Sequence, residues 1–276
     1  MATIQLDLYS RCLQRNVPVT VIIPADTVEF ESQPLPPEAP YPAFYLLHGF
    51  FGNQNDWVFK GLLQQLAVKY RVAFILPSGE NHFYVDMPSG EHYSRYIGEE
   101  LVEQTRRLFP LSRKREDTII GGLSMGGFGS LLNGFRWHET FGWIVSLSPA
   151  IFNTAMLKER TGPEAMKSGN FTAADSFLLR KDFLQAAFGP FDEVDGSDKD
   201  VFTAYRKAAA SPCGSPKIYL ACGTEDALYP KVAQFRDFLQ EQDAPLTFKD
   251  GPGIHDWLFW NAYLEDALET FLPLKK

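Results

Sequence analysis

The residues best able to do chemistry in this chain stand in Gly122-Leu123-Ser124-Met125-Gly126, a G-x-S-x-G pentapeptide. A short apolar run, Thr118-Ile119-Ile120, feeds into it, and an apolar-striped segment from Phe128 to Phe135 leaves it. A strand that turns sharply into a helix around such a serine is a nucleophile elbow. It raises the hydroxyl above a sheet, at the positive end of a helix that also favours a developing oxyanion. The turn leaves no room for side chains beside the serine, and glycines at 121, 122, 126 and 127 provide that space.

A serine hydroxyl is a weak nucleophile until a base takes its proton. Sites of this kind place their partners in the chain order serine, acid, histidine. Of the five histidines, His48, His82, His92, His138 and His255, only the last two follow Ser124. His138 stands near the end of the elbow helix, before any strand that could carry the acid, and reads as a helix-terminal or surface residue. His255 lies in the glycine-rich loop Gly251-Pro252-Gly253-Ile254-His255-Asp256-Trp257 and is the expected base. The acid is expected at the end of the preceding strand, where KIYLAC runs into Gly223-Thr224-Glu225-Asp226. Either carboxylate could reach; Asp226 is preferred and Glu225 held in reserve. Asp256 reads as a local loop or helix cap.

Two backbone donors must meet the oxyanion. Met125 N–H, directly after the nucleophile, is one. The second is expected from His48-Gly49-Phe50-Phe51-Gly52, with Phe50 preferred and Phe51 the alternate. His48 itself reads as a ligand of neighbouring backbone. The aromatics Phe51, Trp57, Phe83, Tyr84, Trp257 and Trp260 stand near the motif ends, where they could wall a narrow acyl or aryl pocket.

These residues need a rigid frame, and the hydropathy pattern supplies one. Ile4, Leu6 and Leu8 alternate with polar neighbours, and Val19 to Ile23 follows as an apolar run, which predicts an antiparallel opening hairpin. Residues 31–42 are a proline-rich loop. Strands are then predicted at 43–47, 71–76, 118–120, 142–147, 217–222 and 246–248. Helices are predicted at 58–70, 95–108, 128–135, 230–241 and 258–271. Such alternation predicts a mostly parallel sheet covered by helices on both faces, an α/β-hydrolase fold in a single domain spanning residues 1–276. Residues 151–213 break the rhythm. They contain a helical stretch from Ala173 to Phe188 and an acidic loop from Asp192 to Asp200, and read as a cap-like insertion.

The pieces Leu46-Leu47-His48-Gly49 with Gly52, Asn55-Asp56-Trp57, Pro77-Ser78-Gly79, Phe83-Tyr84-Val85-Asp86, Tyr96-Ile97-Gly98-Glu99-Glu100-Leu101, Gly121 to Gly127, Cys222-Gly223 with Glu225-Asp226, and His255-Asp256-Trp257 with Trp260 run through nearly the whole chain. Together they resemble the esterase D family of α/β hydrolases, most nearly its tributyrin esterase and related acetyl or feruloyl esterase branches. The resemblance implies hydrolysis of short acyl esters, with Ser124, Asp226 and His255 matching the family's nucleophile, acid and base. The family's S-formylglutathione hydrolases usually carry a cysteine-containing segment where this chain has HGFFGNQNDW, which lowers the thioesterase reading. Feruloyl or acetyl-xylan ester hydrolysis is the other alternative.

Composition narrows the remaining classes. A formal net charge of −8 without a basic face argues against nucleic-acid binding. No apolar stretch is long enough to span a bilayer, and Met1-Ala2-Thr3-Ile4 has no leader pattern, so a cytoplasmic enzyme is expected. Three scattered cysteines give no disulfide framework. No metal-ligand spacing or phosphate loop is visible, so no cofactor is expected. The expected partner is a small-molecule ester, and assembly into a homo-oligomer is compatible with the sequence. An acyltransferase would need an acceptor held better than water, and nothing in residues 151–213 declares one. A binding protein would have no need of serine, acid, histidine and oxyanion glycines together.

Overall fold

The computed structural model describes residues 1–26, 39–161 and 180–272. Its frame is an eight-stranded sheet in the order β1-β2-β4-β3-β5-β6-β7-β8. β1 (Ala2–Ser10) and β2 (Arg15–Ile23) form the antiparallel hairpin, and β2 also pairs antiparallel with β4 (Ala73–Pro77). β3 (Ala43–Leu47), β5 (Thr118–Leu123), β6 (Trp143–Leu147), β7 (Lys217–Gly223) and β8 (Leu246–Gly251) run parallel with β4. β3, β4 and β5 are buried at every position, as strands covered on both faces must be. β1 at the edge alternates half-buried with exposed residues instead.

Side chains alternate between the faces, so each inner strand feeds two cores. Ala43, Tyr45 and Leu47 of β3 join one, and Phe44 and Leu46 join the other. The first core is closed by a helix assembled from α3 (Tyr93–Arg95), a π-turn (Tyr96–Glu100) and α4 (Leu101–Leu108), and by α5 (Met125–Arg136). α1 (Asp56–Lys60), α2 (Leu63–Tyr70) and, at the C-terminus, Trp257–Phe271 close the second.

Two departures from the predicted elements have clear causes. The single helix predicted over 58–70 is broken into α1 and α2 at Gly61, which leaves the helix with an extended backbone at φ −99° and ψ 174°. The interval 151–213 is more than a surface excursion. It contributes α6 (Thr154–Thr161), α7 (Lys181–Phe188) and α8 (Val201–Ala209), while residues 162–179, which hold the first part of the predicted helical stretch, lie outside the described residues. α8 packs directly on α5 with Val201, Ala204, Tyr205 and Ala208 inward. Asp200, expected in a loop, caps it by accepting from Phe202 N–H at 2.9 Å. α9 (Tyr229–Glu241) and α10 (Trp257–Phe271) complete the fold.

The elbow glycines show how tightly the frame closes. A Cβ on Gly126 would lie 2.5 Å from Leu47 O and 2.6 Å from His48 O, both rigid backbone at the end of β3. Gly126→Ala is therefore expected to lower unfolding free energy by about 3 kcal/mol or more, an overpacking loss with no side chain free to yield. Urea unfolding followed by circular dichroism measures it; an unchanged midpoint would refute the packing argument.

Candidate active site

Ser124 stands between β5 and α5 at φ 55° and ψ −115°, outside the regions ordinary side chains prefer. Three backbone hydrogen bonds fix it there. Its N–H donates to Leu147 O at 2.9 Å, and its carbonyl accepts from Phe128 N–H at 3.0 Å and from Ala150 N–H at 3.1 Å. Met125 N–H is at the first position of α5, where a helical amide has no intrahelical acceptor.

Asp226 stands just past β7 and is buried, whereas the neighbouring Glu225 side chain is exposed. His255 Nδ1 lies 2.7 Å from Asp226 Oδ2. An ionised carboxylate only accepts, so Nδ1 carries the proton and Nε2 is left with a lone pair. Leu228 N–H donates to the other oxygen, Oδ1, at 2.8 Å. The loop carrying His255 is clamped to the acid's turn by Thr224 N–H to Gly251 O at 2.9 Å and Glu225 N–H to Gly253 O at 3.1 Å. Asp256 caps α10 through Phe259 N–H at 2.9 Å and faces away from the imidazole's partner. His138 bonds Phe135 O at the end of α5 through Nδ1, as a helix-terminal residue does.

The loop after β3 approaches the serine closely: a Cβ on Gly49 would lie 3.6 Å from Ser124 Cβ. Phe51 N–H donates to Asn81 Oδ1 at 2.8 Å, which turns that amide away from the alternate oxyanion role and toward a structural one. His48 is buried and tied at both nitrogens. Gly79 N–H donates to its Nε2 at 2.9 Å, so Nδ1 is the protonated nitrogen facing Gly49 O at 2.7 Å. Burial lowers its pKa, which keeps the ring neutral.

Several of the aromatics expected in a pocket are placed beneath the site instead. Trp57 is 1% exposed and donates from Nε1 to Leu47 O at 3.1 Å. Tyr84 is 0% exposed and donates to His48 O at 3.0 Å. Both brace the end of β3 and present no surface to a ligand. Phe83 is likewise buried, among Phe50, Phe128, Phe152 and Phe188. Trp260 is buried edge-on to the His255 ring at 4.9 Å, with its Nε1 donating to Ser148 Oγ at 3.2 Å. Trp257 is half-buried between Trp57 and Trp260, at 4.9 and 5.4 Å. Phe51 differs, being 57% exposed and edge-on to Phe50 at 4.5 Å. Sequence reasoning passed over Asn81 and Ser148. Both are small polar residues at strand-to-loop exits, and that position was their only signal.

A serine on a strained strand–helix turn, with an imidazole oriented by a buried carboxylate, is the arrangement of a serine hydrolase. The family model described as "Putative esterase" matches residues 10–271. The chain belongs to the esterase family. It is 35% identical over 270 residues to an acetyl esterase of Caldicellulosiruptor saccharolyticus, covering 98% of this chain and 97% of that one. Among solved structures the esterase is similar to FphF, a fluorophosphonate-binding serine hydrolase of Staphylococcus aureus, at 28% identity and TM-score 0.80, with 98% of each chain covered. It is also similar to FrmB, an S-formylglutathione hydrolase of Staphylococcus aureus, at 28% identity and TM-score 0.78 over 98% of each chain. The expected α/β-hydrolase fold is thus the observed one, and the esterase is a serine hydrolase. Among the described residues, no helix is long and apolar enough to cross a membrane.

The electrostatics of Asp226 give a measurable consequence. Burial alone would raise its pKa, but the hydrogen bond and charge of His255, the Leu228 amide and the Ser148 hydroxyl outweigh it and bring the carboxyl below its ordinary 3.8. A depressed folded-state pKa stabilises the protein above the unfolded value and ceases to do so as pH falls through the folded one. The difference in Tm between wild type and Asp226→Asn is therefore expected to narrow between about pH 6 and about pH 3. Thermal melts at both pH values check it, and an equal gap at both would contradict the assignment.

Proposed function

We propose that the esterase hydrolyses short-chain acyl esters through an acyl-serine intermediate on Ser124, with His255 as base and Asp226 as acid. The observation that carries this reading is the 2.7 Å contact of His255 Nδ1 with Asp226 Oδ2, which leaves Nε2 free to serve as base for the serine of the strained elbow. Nε2 takes the hydroxyl proton as Ser124 Oγ attacks the acyl carbonyl, and returns it to the departing alkoxide. Water then attacks the acyl-serine with the same base, releasing the carboxylic acid and the free serine. The N–H groups of Met125 and Phe50 receive the oxyanion, a reading favoured by the engagement of Phe51 N–H with Asn81. Asp226 does not itself become protonated; it fixes the imidazole and stabilises its charged form.

The acyl preference rests on the rings around the oxyanion loop. Phe50 stands 4.5 Å from Phe51, 5.7 Å from Phe83 and 5.6 Å from Phe183 of α7. Through that last contact residues of the 151–213 interval reach the site, as a cap would, while α8 belongs to the body of a single domain. The acetyl esterase relative supports a short acyl group. The likeness to FrmB supports a second reading, hydrolysis of a thioester such as S-formylglutathione. Cys12, Cys213 and Cys222 are all free thiols, which suits the reducing cytoplasm expected for this chain.

Ser124→Ala is expected to abolish turnover and labelling by an organophosphonate without changing the melting curve. Asp226→Asn should lower kcat by about 10³- to 10⁴-fold with little change in KM, and Glu225→Gln by less than about tenfold. Steady-state kinetics on the purified variants decide it; a dead Gln variant beside an active Asn one would transfer the acid role to Glu225.

Acyl size gives an independent check. Across p-nitrophenyl esters, kcat/KM should be highest from acetyl to butyryl and fall in graded steps, since one methylene changes discrimination by only about 1–3 kcal/mol. A steady rise toward dodecanoyl would count against the aromatic walls. S-formylglutathione in the same series, turned over faster than any ester, would favour the thioesterase reading.

A further inference from the structure

The segment leaving β6, Leu147-Ser148-Pro149-Ala150, touches both halves of the site. Leu147 O accepts from Ser124 N–H at 2.9 Å and Ala150 N–H donates to Ser124 O at 3.1 Å, so the segment brackets the nucleophile's backbone. Between those two contacts Ser148 turns the other way. Its N–H donates to Ala221 O on β7 at 2.7 Å, shortly before the acid's turn. Its side chain is fully buried, and its φ of 45° lies in the left-handed region. Glycine would occupy that backbone without strain, so a serine here calls for a use of its hydroxyl.

The neighbours define that use. Trp260 Nε1 can only donate, and it donates to Ser148 Oγ at 3.2 Å. With a lone pair so engaged, the Ser148 proton is free to turn toward the neighbouring Asp226 carboxylate, whose pKa the hydroxyl helps to lower. The Cys222 thiol lies beside both groups. Burial first, and then the charge of Asp226, push its pKa up to about 12, so it stays neutral and does not compete as an anion. The Trp260 ring also stands edge-on to His255 at 4.9 Å and 89°, so one side chain touches both the base and the Ser148 hydroxyl.

We propose that Ser148 and Trp260 are positioning residues that act as one unit: the indole N–H orients the Ser148 hydroxyl, and the hydroxyl completes the donor set that fixes Asp226 for His255. The imidazole and the Leu228 amide hold one carboxylate oxygen each, at 2.7 and 2.8 Å, and the Ser148 hydroxyl is the further donor that restricts how the carboxylate can turn beneath the imidazole. Because the same segment brackets Ser124, the acid is placed relative to the nucleophile by a stretch of chain only four residues long. This inference rests on the triad reading above.

Two variants separate positioning from packing. Ser148→Gly removes the hydroxyl and relieves the backbone. Trp260→Phe keeps a ring against His255 and removes the donor. With p-nitrophenyl acetate, each is expected to lower kcat about tenfold or more with KM within about twofold, the size of effect that one hydrogen bond to a charged group carries. The double variant should be no worse than the poorer single, since both act through the same hydroxyl. Circular dichroism and a melting curve on Ser148→Gly check that it is folded at the assay temperature, so that lost activity cannot be put down to unfolding. A wild-type kcat in Ser148→Gly overturns the proposal whatever happens to Trp260→Phe, and so do losses that multiply in the double variant. Ser124→Ala run alongside distinguishes the two levels: if it remains active, it is the triad reading that falls.

Discussion

Ser124 sits at φ 55° and ψ −115°, a backbone that no free serine would choose, and most of the surrounding structure can be understood as keeping it there. Strain of this kind costs on the order of 1–3 kcal/mol and persists only where neighbours over-determine it. Here the neighbours are the end of β6, which bonds the residue's N–H and carbonyl, and the first turn of α5, which bonds the carbonyl again. The glycines follow from the same constraint. A Cβ on Gly122 would lie 2.6 Å from the Gly126 carbonyl, and one on Gly127 would lie 2.9 Å from Leu147 O. The helix can start immediately after the serine only because these approaches are unobstructed. Its first amide is consequently that of Met125, directly after the serine.

The second rigid unit is the end of β3. Trp57 and Tyr84 donate to the carbonyls of Leu47 and His48, and Gly79 N–H ties to the His48 ring. Each of these is a buried, satisfied contact; losing one partner would leave a carbonyl or a ring nitrogen unpaired in the interior. Tyr84 is so closely enclosed that a Cβ on Gly79 or on Gly129 would stand 2.0 or 2.5 Å from its ring. The loop at Gly49–Phe51 therefore leaves a strand end that cannot shift, and Asn81 anchors its far side through Phe51 N–H. An oxyanion donor needs that rigidity, because its benefit comes from being in place before charge develops.

Much of this was legible in the amino-acid order, for a definite reason. The elbow at Ser124 and the pairing of His255 with Asp226 each depend on local features, namely a strand followed by a glycine-rich turn, and on the order in which those turns occur. Local pattern also distinguished the buried inner strands from the alternating edge strand β1. Burial of individual aromatics was not legible. Trp57, Tyr84 and Trp260 stand at motif ends like pocket residues, and only tertiary packing reveals that their polar atoms point inward to backbone or to Ser148. α8 was missed although Val201, Ala204, Tyr205 and Ala208 have helical spacing, because the acidic run before it reads as a loop. Its capping residue, Asp200, belongs to that same run. The break between α1 and α2 comes from the extended backbone at Gly61, which hydropathy does not register.

The acid and base are joined differently from the nucleophile, and this difference shapes the site. Asp226 and His255 stand on two turns clamped backbone to backbone, so closely that a Cβ on Gly223 would lie 2.2 Å from Gly253 O. Gly253 itself takes φ +155°, which allows the loop to fold back over the acid's turn. The 2.7 Å contact of His255 with Asp226 is therefore made between these two turns and not through the elbow. Ser124 belongs to the other unit, built on β5, β6 and α5. The two units meet along the β6–β7 pairing, where Val145 lies opposite Tyr219 and Leu147 opposite Ala221, and beyond it at Ser148. Precision between nucleophile and base is thus set by strand register, the least deformable relation in the molecule, because a one-residue slip would turn every buried side chain to the wrong face.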